Sequence, residues 1–318
     1  MPVLITGLGY IGARLAELLL ERGERVVGLE NFFATDEPAV ERLAERPGFR
    51  LVRGSVADPA AVGAALVADA PIVTVYHLAA QASAHPLAAP PAYTEETNLA
   101  GPRVLAEAAT AHRVRRIVFA SSFRVYGDDL RGVVSEDRPY GVQADLSHLS
   151  KLYAEKLFEL TAHRGGPSVA AVRLGLVYGL GPVMKRDPRF MTAPNRFCLQ
   201  AACGEVIEVH QRRRTGLIHL DDAVRALILA AEARDPRPFV AYNAVSEVAG
   251  IGEVASLVAE LAGRRGLRVE IAGPTLPTGS LQVTSRLAEL GFRPRRTLRD
   301  GLAEVLDYWL RQPAGVRG

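Results

Sequence analysis

The run Val3-Leu4-Ile5-Thr6-Gly7-Leu8-Gly9-Tyr10-Ile11-Gly12 limits what this chain can fold into more than any other stretch. An apolar strand leads into G-x-G-x-x-G, and a helical pattern over residues 11–21 follows at once. Gly7 permits a tight turn, Gly9 lets the backbone approach a pyrophosphate, and Gly12 lets the helix pack close to the strand. The helix N-terminus then faces negative charge. Such a glycine pattern is weak alone, but the strand before it and the helix after it supply the confirming context. The second apolar run ends in Val27-Gly28-Leu29-Glu30, followed by Asn31. Glu30 falls where a carboxylate accepts hydrogen bonds from an adenosine ribose. The same charge repels a 2′-phosphate, so NAD is the expected cofactor rather than NADP.

The rest of the first half repeats this alternation. Strands are expected at residues 3–6, 25–29, 49–52, 73–77, 116–120 and 168–174, each rich in Val, Ile or Leu with little alternation. That pattern suits parallel strands buried on both faces. Helices are expected at 11–21, 58–67, 97–111 and 149–161. Strand and helix in turn imply right-handed crossovers and a doubly wound parallel α/β sheet. From about Gly175 the rhythm changes, through a loop holding Gly179, Gly181, Pro182, Pro188 and Pro194. A helix at 196–202, a strand at 206–209 and a helix at 221–233 with Asp221 as N-cap are expected next. Shorter segments at 239–243, 252–262, 269–271, 285–290 and 298–310 complete the chain. The expected organisation is a nucleotide-binding domain over residues 1–174 and a smaller mixed α/β lobe over 175–318. Some exchange of chain between the two is expected, with ligand at the carboxyl edge of the main sheet.

Composition narrows the class. The 318 residues, 48% of them hydrophobic, bury a core without disulfides or structural metal. Thirty-eight Lys and Arg against 35 Asp and Glu leave a formal charge of +3, which argues for neither nucleic acid nor a membrane surface as partner. Cys198 and Cys203 fit no zinc cluster and no redox motif, and the seven histidines make no metal pattern, so no metal is expected. No apolar window is long enough for a membrane span, and no basic leader precedes the first strand; a cytoplasmic protein is expected.

Further motifs follow in order: Tyr76-His77-Leu78-Ala79-Ala80-Gln81, Asn98-Leu99-Ala100-Gly101, Ala120-Ser121-Ser122-Phe123-Arg124-Val125-Tyr126-Gly127 and Ser150-Lys151-Leu152-Tyr153-Ala154-Glu155. Arg173-Leu174-Gly175-Leu176-Val177-Tyr178-Gly179 and Ile218-His219-Leu220-Asp221-Asp222 come later. With the glycine turn, they make the chain resemble the extended short-chain dehydrogenase/reductase family, the NAD-dependent epimerase/dehydratase branch that works mostly on nucleotide sugars. The resemblance implies a Rossmann sheet and a homodimer built on the helices near 97–111 and 149–161. It implies cofactor contacts at Gly7, Gly9, Tyr10, Ile11, Gly12, Glu30, Asn31, Ser55 and Val56, and at Leu78, Ala79, Ala80, Asn98, Ser121 and Lys151. Substrate contacts are implied at Gln81, Phe123, Arg124 and Asn195. The arginines of the run Arg212-Arg213-Arg214, with Arg212 and Arg214 as the named substrate contacts, could clamp a diphosphate or carboxylate through bidentate hydrogen bonds or lie in a solvated basic loop.

One departure bears on the chemistry. Enzymes of the family use a tyrosine four residues before a lysine as base, while a Ser or Thr orients the substrate hydroxyl. Lys151 and Ser122 fit the last two roles, but Ser147 stands four residues before Lys151. A serine hydroxyl is far less acidic than a phenol. His148 is a candidate because an imidazole is the side chain suited to take up a proton near neutral pH, although one residue of helix rotation, roughly 100°, turns it from the usual position. Tyr140, from the preceding loop, is a third candidate, and a substrate needing no strong base a fourth possibility. Phe123-Arg124 replaces the acidic pair used by sugar dehydratases, which disfavours dehydration. The sequence thus supports an atypical NAD-dependent epimerase or oxidoreductase acting on a nucleotide sugar or similar anionic polyol. Its rivals are a catalytically silent NAD-binding sensor or scaffold, and non-redox chemistry on an unusual substrate.

Overall fold

A computed structural model describes residues 2–83, 85, 87–128 and 130–312. In chain order the first half holds β1 (Val3–Thr6), α1 (Tyr10–Glu21), β2 (Val26–Glu30), α2 (Glu37–Ala44), β3 (Phe49–Arg53), α3 (Pro59–Val67) and β4 (Thr74–His77). Then come α4 (Pro91–Glu95), α5 (Gly101–Ala111), β5 (Arg116–Ser122), β6 (Gly132–Val134), α6 (Leu146–His163) and β7 (Ser168–Leu174). The second half holds β8 (Leu176–Tyr178), α7 (Ala193–Cys203), β9 (Ile207–Glu208), β10 (Arg214–His219), α8 (Leu220–Glu232) and β11 (Phe239–Ala244). β12 (Glu247–Gly250), α9 (Ile251–Gly263), β13 (Ile271–Ala272), β14 (Leu281–Val283) and α10 (Leu298–Arg311) complete it.

The main sheet has seven parallel strands in the order β11-β7-β5-β4-β1-β2-β3. The winding reverses between β1 and β4, and ligands of such sheets bind in the crevice opened there. Successive strand side chains point to opposite faces. Ile5, Val118 and Val172 therefore pack under Leu15 and Leu19 of α1 and Leu227 of α8. Leu4, Val75 and Ile117 pack against Leu66 of α3, Leu105 of α5 and Phe158 of α6. Apart from the edge strand β3, where Arg50 and Arg53 are exposed, the sheet is covered on both faces, which is why its strands read as mostly apolar runs.

The lobe has its own core of Phe197, Val254, Val258, Leu302 and Trp309 around the three-stranded sheet β12-β10-β8. Its segment 239–244 returns to the main sheet, where Phe239 pairs with Val169 and Ala244 with Leu174. Helix α8 packs on the main sheet as well. The helix expected to start at Asp221 starts one residue earlier. His219 is its N-cap, and the imidazole Nδ1 accepts from the Asp221 backbone N–H at 3.1 Å, a role that imidazole seldom takes. The single helix expected at 97–111 is two. A π turn over residues 96–100 precedes α5, the kind of irregularity that often marks a functional region. Among the described residues, no helix is long and apolar enough to cross a membrane.

Candidate active site

The glycine turn is built for close approach. Gly7 has φ +85°, and a Cβ there would lie 2.6 Å from the Ala79 backbone nitrogen. A Cβ on Gly12 would come within 1.9 Å of the Gly7 carbonyl oxygen, whereas one on Gly9 would meet only Thr35 Oγ1, at 3.6 Å. Gly7 and Gly12 therefore lock helix to strand, and Gly9 leaves a cradle. Glu30 is buried and stapled to the same turn: Oε2 accepts from Leu8 N at 2.7 Å, Oε1 from Asn31 N at 3.0 Å and Phe32 N at 2.8 Å. Tyr10 OH donates to the Gly179 carbonyl at 2.6 Å and accepts from Asn195 Nδ2 at 3.2 Å. Burial raises the Tyr10 phenol far above its ordinary value, so it stays a donor. Asn195 and Tyr10 thereby tie the lobe to the N-terminus of α1.

Helix α6 supplies the reactive groups. Lys151 Nζ donates to the Ala120 carbonyl at 2.7 Å and lies 4.9 Å from the centre of the Phe119 ring. Burial pushes its pKa down to about 8, with the Glu155 carboxylate resisting. Ser122 caps the short turn Phe123–Tyr126, its Oγ accepting from Arg124 N at 3.2 Å. On a helical wheel, residues three and four before Lys151 lie roughly 60° and 40° to either side of it. His148 takes the side that faces the cavity. Ser147 takes the other, buried and donating to the Gln81 carbonyl at 3.1 Å. Asp145, the N-cap of α6, accepts from His148 N at 2.9 Å through one oxygen and bonds His148 Nδ1 through the other. Burial opposes the Asp145 charge, yet these bonds hold its carboxyl below the ordinary value. With Nδ1 engaged, Nε2 is the nitrogen left to take a proton.

Tyr140 is committed elsewhere. Its OH donates to Glu155 Oε2 at 2.9 Å, and Arg173 Nη2 donates to it at 3.2 Å. Burial and the adjoining Glu155 charge raise its pKa well above the phenol range, and it is not among the residues that line the cavity.

A single cavity of about 710 Å³ connects these parts. At one end it is lined by Gly7, Gly9, Tyr10, Ile11, Gly12, Glu30, Asn31 and Val56. Leu78, Ala79, Ala80 and Gln81 form its middle, and Ser121, Ser122, Phe123, Arg124, His148, Lys151 and Asn195 also line it. Five expected contacts do not. Ser55 turns its hydroxyl to Ala57 N at 3.2 Å. Asn98, in the π turn, is buried and brackets Gln81, accepting from its N–H and donating to its carbonyl, both at 2.8 Å, and reaches Ser150 Oγ at 2.9 Å. It positions the loop after β4. Ser147 is held as described above. Arg212 is exposed, and Arg214 is ion-paired with Glu253 at 3.2 Å.

Lys185 and Arg196 line the cavity without a signal in the sequence, and of the basic run it is Arg213, rather than Arg212 or Arg214, that lines it. A signal for Arg213 existed. Thr215 faces the cavity, and carrying the period-2 alternation of β10 one residue before its start at Arg214 puts residue 213, not 212 or 214, on the same side. Stacked Phe33 and Tyr93, with ring centres 3.7 Å apart, also line it.

The glycine cradle, the fixed Glu30 carboxylate and the lysine at the far end fit a bound dinucleotide. The model of the NAD dependent epimerase/dehydratase family matches residues 3–244. UDP-glucuronate 4-epimerase 3 of Arabidopsis thaliana is 28% identical over 97% of this chain and 76% of its own length. UDP-glucose 4-epimerase of Bacillus subtilis is 30% identical over 57% of this chain and 54% of its own. Among solved structures, MoeE5 in complex with UDP-glucuronic acid and NAD superposes with a TM-score of 0.80 at 31% identity, covering 98% of this chain and 99% of that one. The UDP-glucose 4-epimerase of Thermus thermophilus in complex with NAD gives 0.80 at 25% identity, covering 97% and 99%. The chain belongs to the NAD dependent epimerase/dehydratase family, as an NAD-dependent enzyme of the extended short-chain dehydrogenase/reductase type.

Proposed function

We propose that the protein epimerises a hydroxyl-bearing carbon, C4, of a nucleotide sugar, with His148 in the place of a tyrosine base. The observation that carries this reading is the one cavity running from the glycine turn to Ser122, His148 and Lys151. NAD, which Gly7, Gly9, Gly12, Glu30 and Lys151 would hold, would supply reversible hydride acceptance at that carbon. His148 Nε2 accepts the hydroxyl proton and later gives it back, while the Asp145 carboxylate holds the ring's tautomer and steadies its charge. Ser122 Oγ orients the reacting oxygen. Lys151, positive at neutral pH beside Ala120, holds the nicotinamide ribose and favours negative charge on the reacting oxygen.

The test is proton NMR of the NAD-loaded protein with UDP-glucuronic acid and with UDP-glucose in heavy water. A C4 epimer that keeps its C4 hydrogen supports the reading, because hydride return is internal. Deuterium at C4 would replace it with proton-abstraction chemistry. The absence of turnover with any nucleotide sugar would leave the silent NAD-binding protein.

The reading includes a homodimer through α5 and α6. Leu149, Tyr153 and Leu160, spaced on one side of α6, are 49%, 39% and 47% exposed, an apolar stripe that a second copy would cover. It also places the protein in the cytoplasm, where a free thiol such as the buried Cys198 persists.

A further inference from the structure

Two arginines in the cavity wall share one acid. Arg124 Nη2 lies 2.6 Å from Asp128 Oδ1, and Arg213 Nη1 lies 3.1 Å from the same oxygen. Both guanidiniums line the cavity, with side chains only 19% and 21% exposed. The Nε of each is buried and has no partner among the described residues. A guanidinium fork matches a carboxylate bidentately, and one shared oxygen leaves most of its donors unused.

The neighbouring charges do not absorb the surplus. Asp145 is engaged by His148, and Lys151 adds a further cation turned to the Ala120 carbonyl. Burial, and then the nearness of Arg213, lower the Arg124 pKa. A bound anion would relieve the repulsion between the two arginines.

The position of the pair selects which anion. The Arg124 backbone N–H donates to Ser122 Oγ, so Arg124 springs from the turn that presents the hydroxyl the proposed reaction sets against the sugar's C4 oxygen. The substituents on C3 and C5 flank that oxygen, and of the two only the one on C5 carries a carboxylate, in the uronic acids. The diphosphate leaves from C1, on the far side of the ring.

We propose that Arg124 and Arg213 form a carboxylate-recognition site and that the substrate is a nucleoside diphosphate uronic acid, held by its C5 carboxylate. A neutral hydroxymethyl group at C5 would leave both forks facing a group that carries no charge. The inference rests on the epimerase reading for the position of C4, but its test needs no turnover.

Calorimetric binding to the NAD-loaded protein, with UDP-glucuronic acid, UDP-glucose and UDP as probes, decides it. Wild type should bind the uronic acid at least tenfold more tightly than the hexose, the scale of one charge-assisted hydrogen bond. In Arg124→Met and Arg213→Met that ratio should fall to within about threefold, and Arg124→Lys should retain part of it. NAD affinity in each variant reports that the fold is intact; if Arg124→Met fails this check, Arg124→Lys and Arg213→Met carry the comparison. Equal weakening of all three probes would assign the arginines to the diphosphate and overturn the proposal, as would a wild type with no preference for the uronic acid. Selectivity that follows the arginines without any epimer formed would keep the site and remove the epimerase reading instead.

Discussion

Two adjacent side chains of α6 separate chemistry from support. His148 faces the cavity with Nδ1 held by Asp145, while Ser147 is spent on the Gln81 carbonyl. His148→Asn should therefore lower kcat by roughly a hundredfold or more, within the range general acid–base catalysis supplies. NAD affinity should stay intact. Ser147→Ala should cost about 1 kcal/mol of stability, a single hydrogen bond, and spare the chemistry. Epimerisation rates and denaturant melts of the two variants check both; a dead Ser147→Ala with an active His148→Asn would reverse the assignment. His77 offers a second test at this scale. It is buried beside Thr6 Oγ1 at 2.7 Å, and burial, with Lys151 nearby, lowers its pKa from 6.5 to about 3. Because the folded value lies below the unfolded one, protons bind preferentially to the unfolded chain. This contribution is therefore full above pH 6.5 and lost as pH falls toward 3, by up to about 1.4 kcal/mol per pH unit. Urea melts between about pH 7 and about pH 4 should show a shallower decline in His77→Gln.

At the scale of elements, α6 joins the site to the interior. Glu155, one turn beyond Lys151, is fully buried against Arg173 at 2.8 Å and also accepts from Ser121 and Tyr140. Arg173 donates in turn to Tyr126 OH at 2.6 Å, and Tyr126 donates to Asn243 Oδ1 at 2.8 Å. Leaving one partner of such a pair buried and unpaired costs about 3–5 kcal/mol. Glu155→Leu should lower thermal stability by that order, and the double variant Glu155→Leu/Arg173→Met should recover much of it. Additive losses in the double variant would show that the two charges do not depend on one another. This network also explains what sequence could and could not reveal. Strands β1, β2, β4, β5 and β7 were legible, since parallel strands covered on both faces are largely apolar, and the edge strand β3 was legible from Phe49, Leu51 and Val52 alone. Strands β6, β8, β12 and β14 are too short for such a run, β10 opens on Arg214, Thr215 and Gly216, and tertiary pairing defines them all. The glycine turn, Glu30, Ser122 and Lys151 were legible because backbone geometry and helix spacing demand those residue types. Tyr140, Asn98 and Arg214 were assigned to ligands, or weighed for them, because nothing local shows that Glu155, Gln81 and Glu253 claim them first.

For the whole molecule, the exposed stripe of Leu149, Tyr153 and Leu160 bears on assembly. Leu149→Lys/Leu160→Lys should shift sedimentation from dimer to monomer, since two charges would then face their symmetry mates across a twofold axis. A wild-type protein that sediments as a monomer would remove the homodimer from the proposed function. The path of the chain has a consequence for synthesis as well. Strand β7 ends at Leu174, but its outer neighbour β11 begins only at Phe239. A nascent chain emerging from the ribosome thus carries an open, apolar sheet edge while the intervening segment, with α7 and α8, is still being made. Such an edge is a template for pairing with other chains. Translation pauses within that interval should then lower the soluble yield, while pauses after Ala244, once the edge is closed, should be harmless.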